Sequence, residues 1–256
     1  MLTGQTAFVT GASQGIGRQI AITLAAEGAN VALAARSDGI YETEEMIDSD
    51  ATLAVETDVT DEASVESSIE ATVDEFGGLD VVVNNAGIAG PTAPIEEVTV
   101  EEWQQTLDVN LMGMFLTVKH ASPHLRASDR GSVVNISSIS GKRPLESRTP
   151  YTASKMGVIG LTRTLAFELG DDDVTANAIC PGAVRGERIN NVIENQAEQL
   201  GVTFEEAKRQ VITKDMALDD IVDPEDVADM VAYLASDHGQ HITGQDISVD
   251  SGATWY

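Results

Sequence analysis

Cysteine is almost missing from this chain of 256 residues: Cys180 is the only one, so no intrachain disulfide can form. A reducing cytoplasm suits such a chain, and Cys180 itself reads as a small buried hydrophobe in a strand. Basic residues are scarce as well. Only 15 Lys and Arg stand against 42 Asp and Glu, a formal net charge of −27, which disfavours nucleic acid and anionic membrane as partners. No apolar run approaches the length of a membrane span. No basic-then-apolar leader is expected, because Gln5 to Thr10 already reads as the first strand. His120, His124, His238 and His241 lack ligand-like spacing, so no metal is expected.

Acid is what the chain has in excess, and it is dispersed. Glu42, Glu44, Glu45, Asp48 and Asp50 form one group, Glu96, Glu97, Glu101 and Glu102 another, and Asp171, Asp172 and Asp173 a third. A dispersed acidic, lysine-poor skin resembles that of proteins from the salt-loaded cytoplasm of halophiles. Screening within a few ångströms at molar salt removes the self-repulsion there.

With 42% hydrophobic residues, the chain can bury a full core as one α/β domain. Strand-like runs recur at Thr6–Val9, Val31–Ala34, Thr52–Val55, Val81–Val83, Ser132–Ile136, Thr175–Ile179 and Asp246–Val249. Between most of them lie segments with apolar positions at helical spacing, such as Ala63, Val65, Ile69, Val73 and Phe76. Such alternation predicts a parallel sheet covered by helices on both faces. Asp223 and Pro224 supply an N-cap and a first-turn proline for a helix through Leu234. Gly186 to Ile221 departs from the alternation. It reads as two short polar helices, Arg188–Leu200 and Phe204–Ile212, forming either a lid over a site or a plain surface hairpin.

Chemistry is concentrated in Tyr151-Thr-Ala-Ser-Lys155. Residues at i and i+4 share a helix face, so the lysine can sit beside the phenol. A nearby cation favours the phenolate, and an ordinary tyrosine titrates near pH ~10, too high for efficient proton exchange at neutral pH. The second pattern is Thr10-Gly11-Ala12-Ser13-Gln14-Gly15-Ile16-Gly17, between the first strand and a helix running to about Glu27. Glycines there let backbone N–H groups approach a pyrophosphate, and the helix N-terminus adds partial positive charge.

Thr10–Gly17, Asn84-Asn85-Ala86-Gly87, Asn110, Ser138, Tyr151-x-x-x-Lys155 and Pro181-Gly182 together closely resemble the short-chain dehydrogenase/reductase family in its compact form. Pro224 to Asp226, Leu234-Ala235-Ser236 and Ile242-Thr243-Gly244 resemble its C-terminal pattern, so the likeness covers essentially the whole chain. The resemblance implies a Rossmann-type doubly wound sheet of seven parallel strands and a nicotinamide cofactor. It places Gly11, Ser13, Gln14, Gly15, Ile16 and Gly17 on the pyrophosphate, Asp58 and Val59 beside the adenine, and Asn85, Ala86, Gly87, Pro181, Gly182 and Val184 farther along the cofactor. It makes Tyr151 the acid/base, has Ser138 hydrogen-bond the substrate oxygen, sets Lys155 on the nicotinamide ribose, and has Asn110 anchor a water relay. It also implies a homotetramer or dimer pairing helices expected at Glu101–Leu125 and Pro150–Leu169. Trp255 and Tyr256 at the terminus would pack either on another subunit or on their own chain. One departure stands out: a threonine usual four residues beyond the glycine of Pro181-Gly182 is Gly186 here.

The end of the second strand reads Ala34-Ala35-Arg36-Ser37, without the acid that binds a ribose 2′-hydroxyl. Arg36 and Ser37 suit a 2′-phosphate, which favours NADP(H). Gln14, where NADP-preferring relatives often carry a second basic residue, leaves NAD(H) possible. Seven of the 15 basic residues fall between Lys142 and Arg188. Lys142, Arg143, Arg185 and Arg188 flank the loops expected at the nicotinamide end, so Arg143, Arg185 and Arg188 are candidates to clamp an anionic substrate, with salt bridging as the alternative. A sugar or sugar-acid dehydrogenase, a 3-oxoacyl-thioester reductase, a reductase of some other ketone and a non-turnover nucleotide sensor are all compatible with the fold.

Overall fold

Every expected strand forms. The computed structural model describes residues 1–47, 49 and 51–255, with Arg188 described by its backbone alone. The strands are β1 (Thr6–Thr10), β2 (Asn30–Ala35), β3 (Thr52–Glu56), β4 (Val81–Asn84), β5 (Ser132–Ile136), β6 (Thr175–Pro181) and β7 (Asp246–Val249). They make one 7-stranded sheet in the order β3-β2-β1-β4-β5-β6-β7, parallel at every pairing.

Side-chain alternation along the strands feeds two cores. Ala7, Val9, Val31, Leu33, Val81 and Val83 point to one face, where α1 (Gly15–Ala26), α2 (Gly39–Met46) and α9 (Pro224–Ala235) pack. Phe8, Ala32, Ala34, Val82 and Val133 point to the other. That face is covered by α3 (Glu62–Phe76), α5 (Gly113–Ala127) and α6 (Thr149–Glu168). Strands buried on both faces explain the nearly unbroken apolar runs. Local signals set the helix ends. Asp61 accepts from the Ala63 N–H at the start of α3, and Gly77 closes it at φ 83; Asp223 and Asp226 form a capping box ahead of Pro224 in α9.

Two expectations need correction. The helix expected over Glu101–Leu125 is not regular: α4 (Val100–Leu107) passes through a π turn, Asp108–Met112, before α5 begins. Such a turn inserts one extra residue. Here it aims Asn110 at the loop after β4, while Gly113 still packs against Val59, whose Cγ2 lies 2.9 Å from where a β-carbon would stand. In the inserted segment, α7 (Glu187–Leu200) forms as expected, whereas α8 (Phe204–Ala207) turns into a π segment, Lys208–Thr213. The two ends of the segment are pinned together. Arg185 donates its N–H to Val222 O at 2.7 Å, and Val222 donates to Ala183 O at 2.9 Å.

The chain crosses from β3 to β4 past β1, so the strand order reverses between β1 and β4. Open α/β sheets bind ligands at this switch, beyond the C-terminal strand ends. Among the described residues, no helix is long and apolar enough to cross a membrane.

Candidate active site

A cleft of about 1470 Å³ opens at that switch. Every residue expected on the cofactor lines it: Gly11, Ser13 to Gly17, Arg36, Ser37, Asp58, Val59, Asn85 to Gly87, Tyr151, Lys155, Pro181, Gly182 and Val184. Ser138 lines it too.

Main-chain contact dictates the glycine turn. A β-carbon on Gly17 would lie 2.2 Å from Gly11 O and 2.3 Å from Asn85 Nδ2, and one on Gly11 would lie 2.8 Å from the same amide nitrogen. Gly15 is held by conformation, at φ 58 with open space before it. Asn85 Nδ2 donates to Thr10 O at 3.0 Å and Gly11 O at 3.2 Å, while Thr10 Oγ1 accepts from the N–H groups of Asn85 and Ala86. The loops after β1 and β4 are thereby stitched into one floor. Gln14 supplies no side-chain cap to α1, and the first turn holds no acid, so the positive helix end faces the cleft unscreened. This cradle fits a dinucleotide pyrophosphate.

At the β2 end, the Arg36 guanidinium is 65% exposed and lies 3.6 Å from an Asp58 carboxylate oxygen. Burial works to raise the Asp58 carboxyl, yet the Thr60 N–H and hydroxyl and the Arg36 charge outweigh it and hold it below its usual value. Sequence reasoning missed Arg18. It lines the same cleft and donates to Thr43 Oγ1 at 3.0 Å and Ser13 O at 2.5 Å, with Glu42 paired at 3.0 Å. Its place directly after Gly17, in the first turn of α1, was the available signal.

At the other end, β5 delivers Ser137 and Ser138, and α6 delivers Tyr151 and Lys155. Ser138 Oγ accepts from the Ser140 N–H at 3.1 Å, capping a tight turn, Ile139–Gly141. Ser137 Oγ donates to Lys155 O at 2.7 Å, and Gly141 packs so closely that a β-carbon would meet Lys155 O at 2.7 Å. Lys155 is 4% exposed; its Nζ donates to Ile136 O at 2.8 Å and stands 5.8 Å from the Tyr151 ring centroid. Burial pushes its ammonium below the usual lysine value, against the pull of Tyr151 and Cys180. Asn110 lies behind the cleft wall, not on it. Its Oδ1 accepts from Ile88 N at 2.8 Å, and its Nδ2 donates to Ile88 O and Ser154 Oγ, each at 3.0 Å.

The basic cluster divides. Lys142 turns away from the cleft onto β7, where Nζ reaches Asp246 O at 2.6 Å, Ser248 Oγ at 3.0 Å and the Asp246 carboxylate at 3.1 Å. Arg163 binds the same carboxylate at 2.5 Å. Arg185 lines the cleft, but Asp223 holds its Nε at 2.5 Å and Asp220 its Nη2 at 3.4 Å. The hydrogen bond that Arg185 donates to Asp223 raises the arginine above its normal value. Salt bridging therefore accounts for Lys142, with Asp246, and for Arg185, with Asp220 and Asp223. Arg143 is half-buried and off the cleft lining. The Arg188 side chain lies outside the described residues. No group of three or more His, Cys, Asp or Glu among the described residues is placed to hold a metal.

A family model described as enoyl-(acyl carrier protein) reductase matches residues 11–254. The chain is 35% identical over 255 residues to D-beta-hydroxybutyrate dehydrogenase of Rhizobium meliloti, covering 98% of each. It is 37% identical over 260 residues to glucose 1-dehydrogenase 2 of Bacillus subtilis, covering 100% of this chain and 96% of the relative. Among solved structures, a variant of actinorhodin polyketide ketoreductase with NADPH matches at a TM-score of 0.89 and 34% identity, with 100% of both chains covered. The protein belongs to the short-chain dehydrogenase/reductase family. It is an NAD(P)(H)-dependent oxidoreductase that interconverts a secondary alcohol and a ketone.

Proposed function

We propose an NADP(H)-preferring dehydrogenase of a sugar or sugar-derived acid, with Tyr151 as acid/base. The carrying observation is that Ser138, Tyr151 and Lys155 line the same cleft as the glycine cradle. A bound nicotinamide cofactor would supply the hydride chemistry at the carbinol carbon. Tyr151 takes the hydroxyl proton in the oxidative direction and returns it in the reductive one. Ser138 donates to the substrate oxygen. Lys155, protonated, favours the phenolate and holds the nicotinamide ribose. Asn110 acts from behind: its side chain fixes the Ile88 loop, and Asn110 anchors a water relay. Arg36, with Ser37, holds the 2′-phosphate, and Arg18 adds charge nearby.

The segment 186–221 serves as a lid, entering the cleft wall through Gly186, Glu187 and Ile189 and excluding water on closure. Limited proteolysis slowed by NADP would support that role; equal cleavage with and without it would not. Likeness to a glucose dehydrogenase supports the sugar, and likeness to a hydroxybutyrate dehydrogenase supports a small anionic substrate. With Arg185 engaged, Arg143 and Arg188 are what is left of the clamp. The ketoreductase likeness supports acyl-thioester reduction as the second reading, with an acidic carrier protein disfavoured by the Asp171-Asp172-Asp173 turn and a coenzyme A thioester as the alternative.

The dispersed acids support work in a salt-loaded cytoplasm, where molar potassium chloride should raise the melting temperature. Exposed Phe115 and Met156 and an 88% exposed Phe167 on α5 and α6 support a homotetramer or dimer, to be weighed by light scattering. Trp255 is exposed, and Tyr256 lies outside the described residues. The substrate test offers NADP and NAD neutral sugars and their acid derivatives in molar potassium chloride. Faster turnover of the acids supports an anion clamp, turnover of neutral sugars alone removes it, and silence on both favours the thioester reading.

A further inference from the structure

The residues leading into α6 break three local preferences together. Ser147 has φ 60, a left-handed conformation that non-glycine residues rarely adopt. Arg148 holds the N-cap position and makes no side-chain cap, where Ser, Thr, Asp or Asn would satisfy the first N–H groups. It also sets a cation at the positive end of the 20-residue helix. Departures of this kind cluster where function compensates for them.

The surroundings show what compensates here. The Arg148 guanidinium carbon lies 5.2 Å from the centroid of the Tyr151 ring, within cation–π range. Its Nη2 donates to Ala89 O at 2.6 Å, and Ser147 O accepts from the Ala93 N–H at 2.9 Å. Ser147 and Arg148 are thus docked on the loop after β4, and Arg148 bridges that loop to the reactive ring.

We infer that Arg148 is a positioning residue of the reaction: its guanidinium holds the Tyr151 ring against the Ala89 loop and supplies a permanent positive charge that favours the phenolate. The inference rests on Tyr151 being the acid/base. Charged and titratable groups converge there from several elements. Lys155 stands on α6 itself, Cys180 on β6 acts on Lys155, and Arg185 and Glu187 line the cleft from the segment after β6. The loops after β4 and β5 bring Ile88, Ala89, Ser137 and Ser138, none of which carries charge. Burial makes the Lys155 proton easier to lose, whereas a guanidinium keeps its charge at any pH at which the protein is folded. Arg148 and Lys155 are therefore not duplicates.

Carbon-13 at the tyrosine Cζ reports ionisation ring by ring, and the chain has only 4 tyrosines, so Tyr151→Phe identifies the signal of interest. In Arg148→Gln, which removes the charge, the Tyr151 signal should move only at higher pH than in the wild type. Arg148→Lys should fall between the two, with Tyr41 and Tyr233 unmoved. An unchanged Tyr151 titration in Arg148→Gln overturns the inference, and so does an equal displacement of all the tyrosines. Failure of the reading beneath it shows separately, as a Tyr151→Phe enzyme that still turns over NADP.

Discussion

At the Gly11–Gly17 end of the cleft, residue identity follows from main-chain contact, whereas among the basic residues from Lys142 to Arg185 it follows from charge pairing. Nothing larger than glycine fits at Gly17, because two groups already stand within 2.3 Å of where its β-carbon would be. Lys142, Arg163 and Arg185, by contrast, have the side chains they have because Asp246, Asp220 and Asp223 lie opposite. The first kind of constraint admits one residue. The second admits any pair that keeps its charges and reach, so it leaves room for the substrate end to diverge while the cradle stays fixed.

Mutations can break this contrast from either side. The largest effect is expected at Gly17→Ala, where the β-carbon would lie inside Gly11 O and Asn85 Nδ2. Overpacking of that kind costs about 3 kcal/mol, and thermal unfolding with a cofactor titration should show both stability and affinity lost. A normal melting temperature with normal affinity would mean the turn is looser than the contacts indicate. Arg36→Ala comes next: its NADP(H) affinity should drop by roughly 10- to 100-fold, the worth of a charge-assisted hydrogen bond, with NAD(H) nearly unchanged. Equal loss of both would remove the argument from Arg36 to a 2′-phosphate.

Asp246→Asn probes the paired end and should cost on the order of 2 kcal/mol. Burial works to raise the Asp246 carboxyl, but Arg163 and Lys142 together hold it below the ordinary aspartate value of 3.8. A depressed carboxylate contributes stability that is present above that value and lost as pH falls through the folded one. Acid unfolding should therefore be shallower in the variant than in the wild type, and parallel curves would disconnect Asp246 from the acid limb. The smallest effect is expected for Arg185→Ala. Its guanidinium is engaged by Asp223 and Asp220, so the substrate KM should move by less than about threefold, as for a surface pair. A rise well beyond that would restore Arg185 to the clamp.

The same contrast explains what the sequence revealed. The cradle was legible because glycine spacing and a following helix are local signals, and the strands were legible as apolar runs buried on both faces. Lys142 was not, since its partner Asp246 lies 104 residues away. Arg185 and Asp223, 38 residues apart, posed the same difficulty; only the folded chain brings them together. The π turn at Asn110 escaped because one inserted residue hardly disturbs helical periodicity. Arg18 escaped because its cleft-facing position depends on how α1 leaves the glycine turn.

In the function proposed above, one end of the cleft grips the cofactor and the other moves the proton. The most direct measurement is Tyr151→Phe in molar potassium chloride, reading NADP binding by fluorescence and NADP reduction with the best substrate found in the sugar and sugar-acid panel. The expected result is binding close to that of the wild type, with turnover reduced by at least about 100-fold. Wild-type turnover without the phenol would contradict the account.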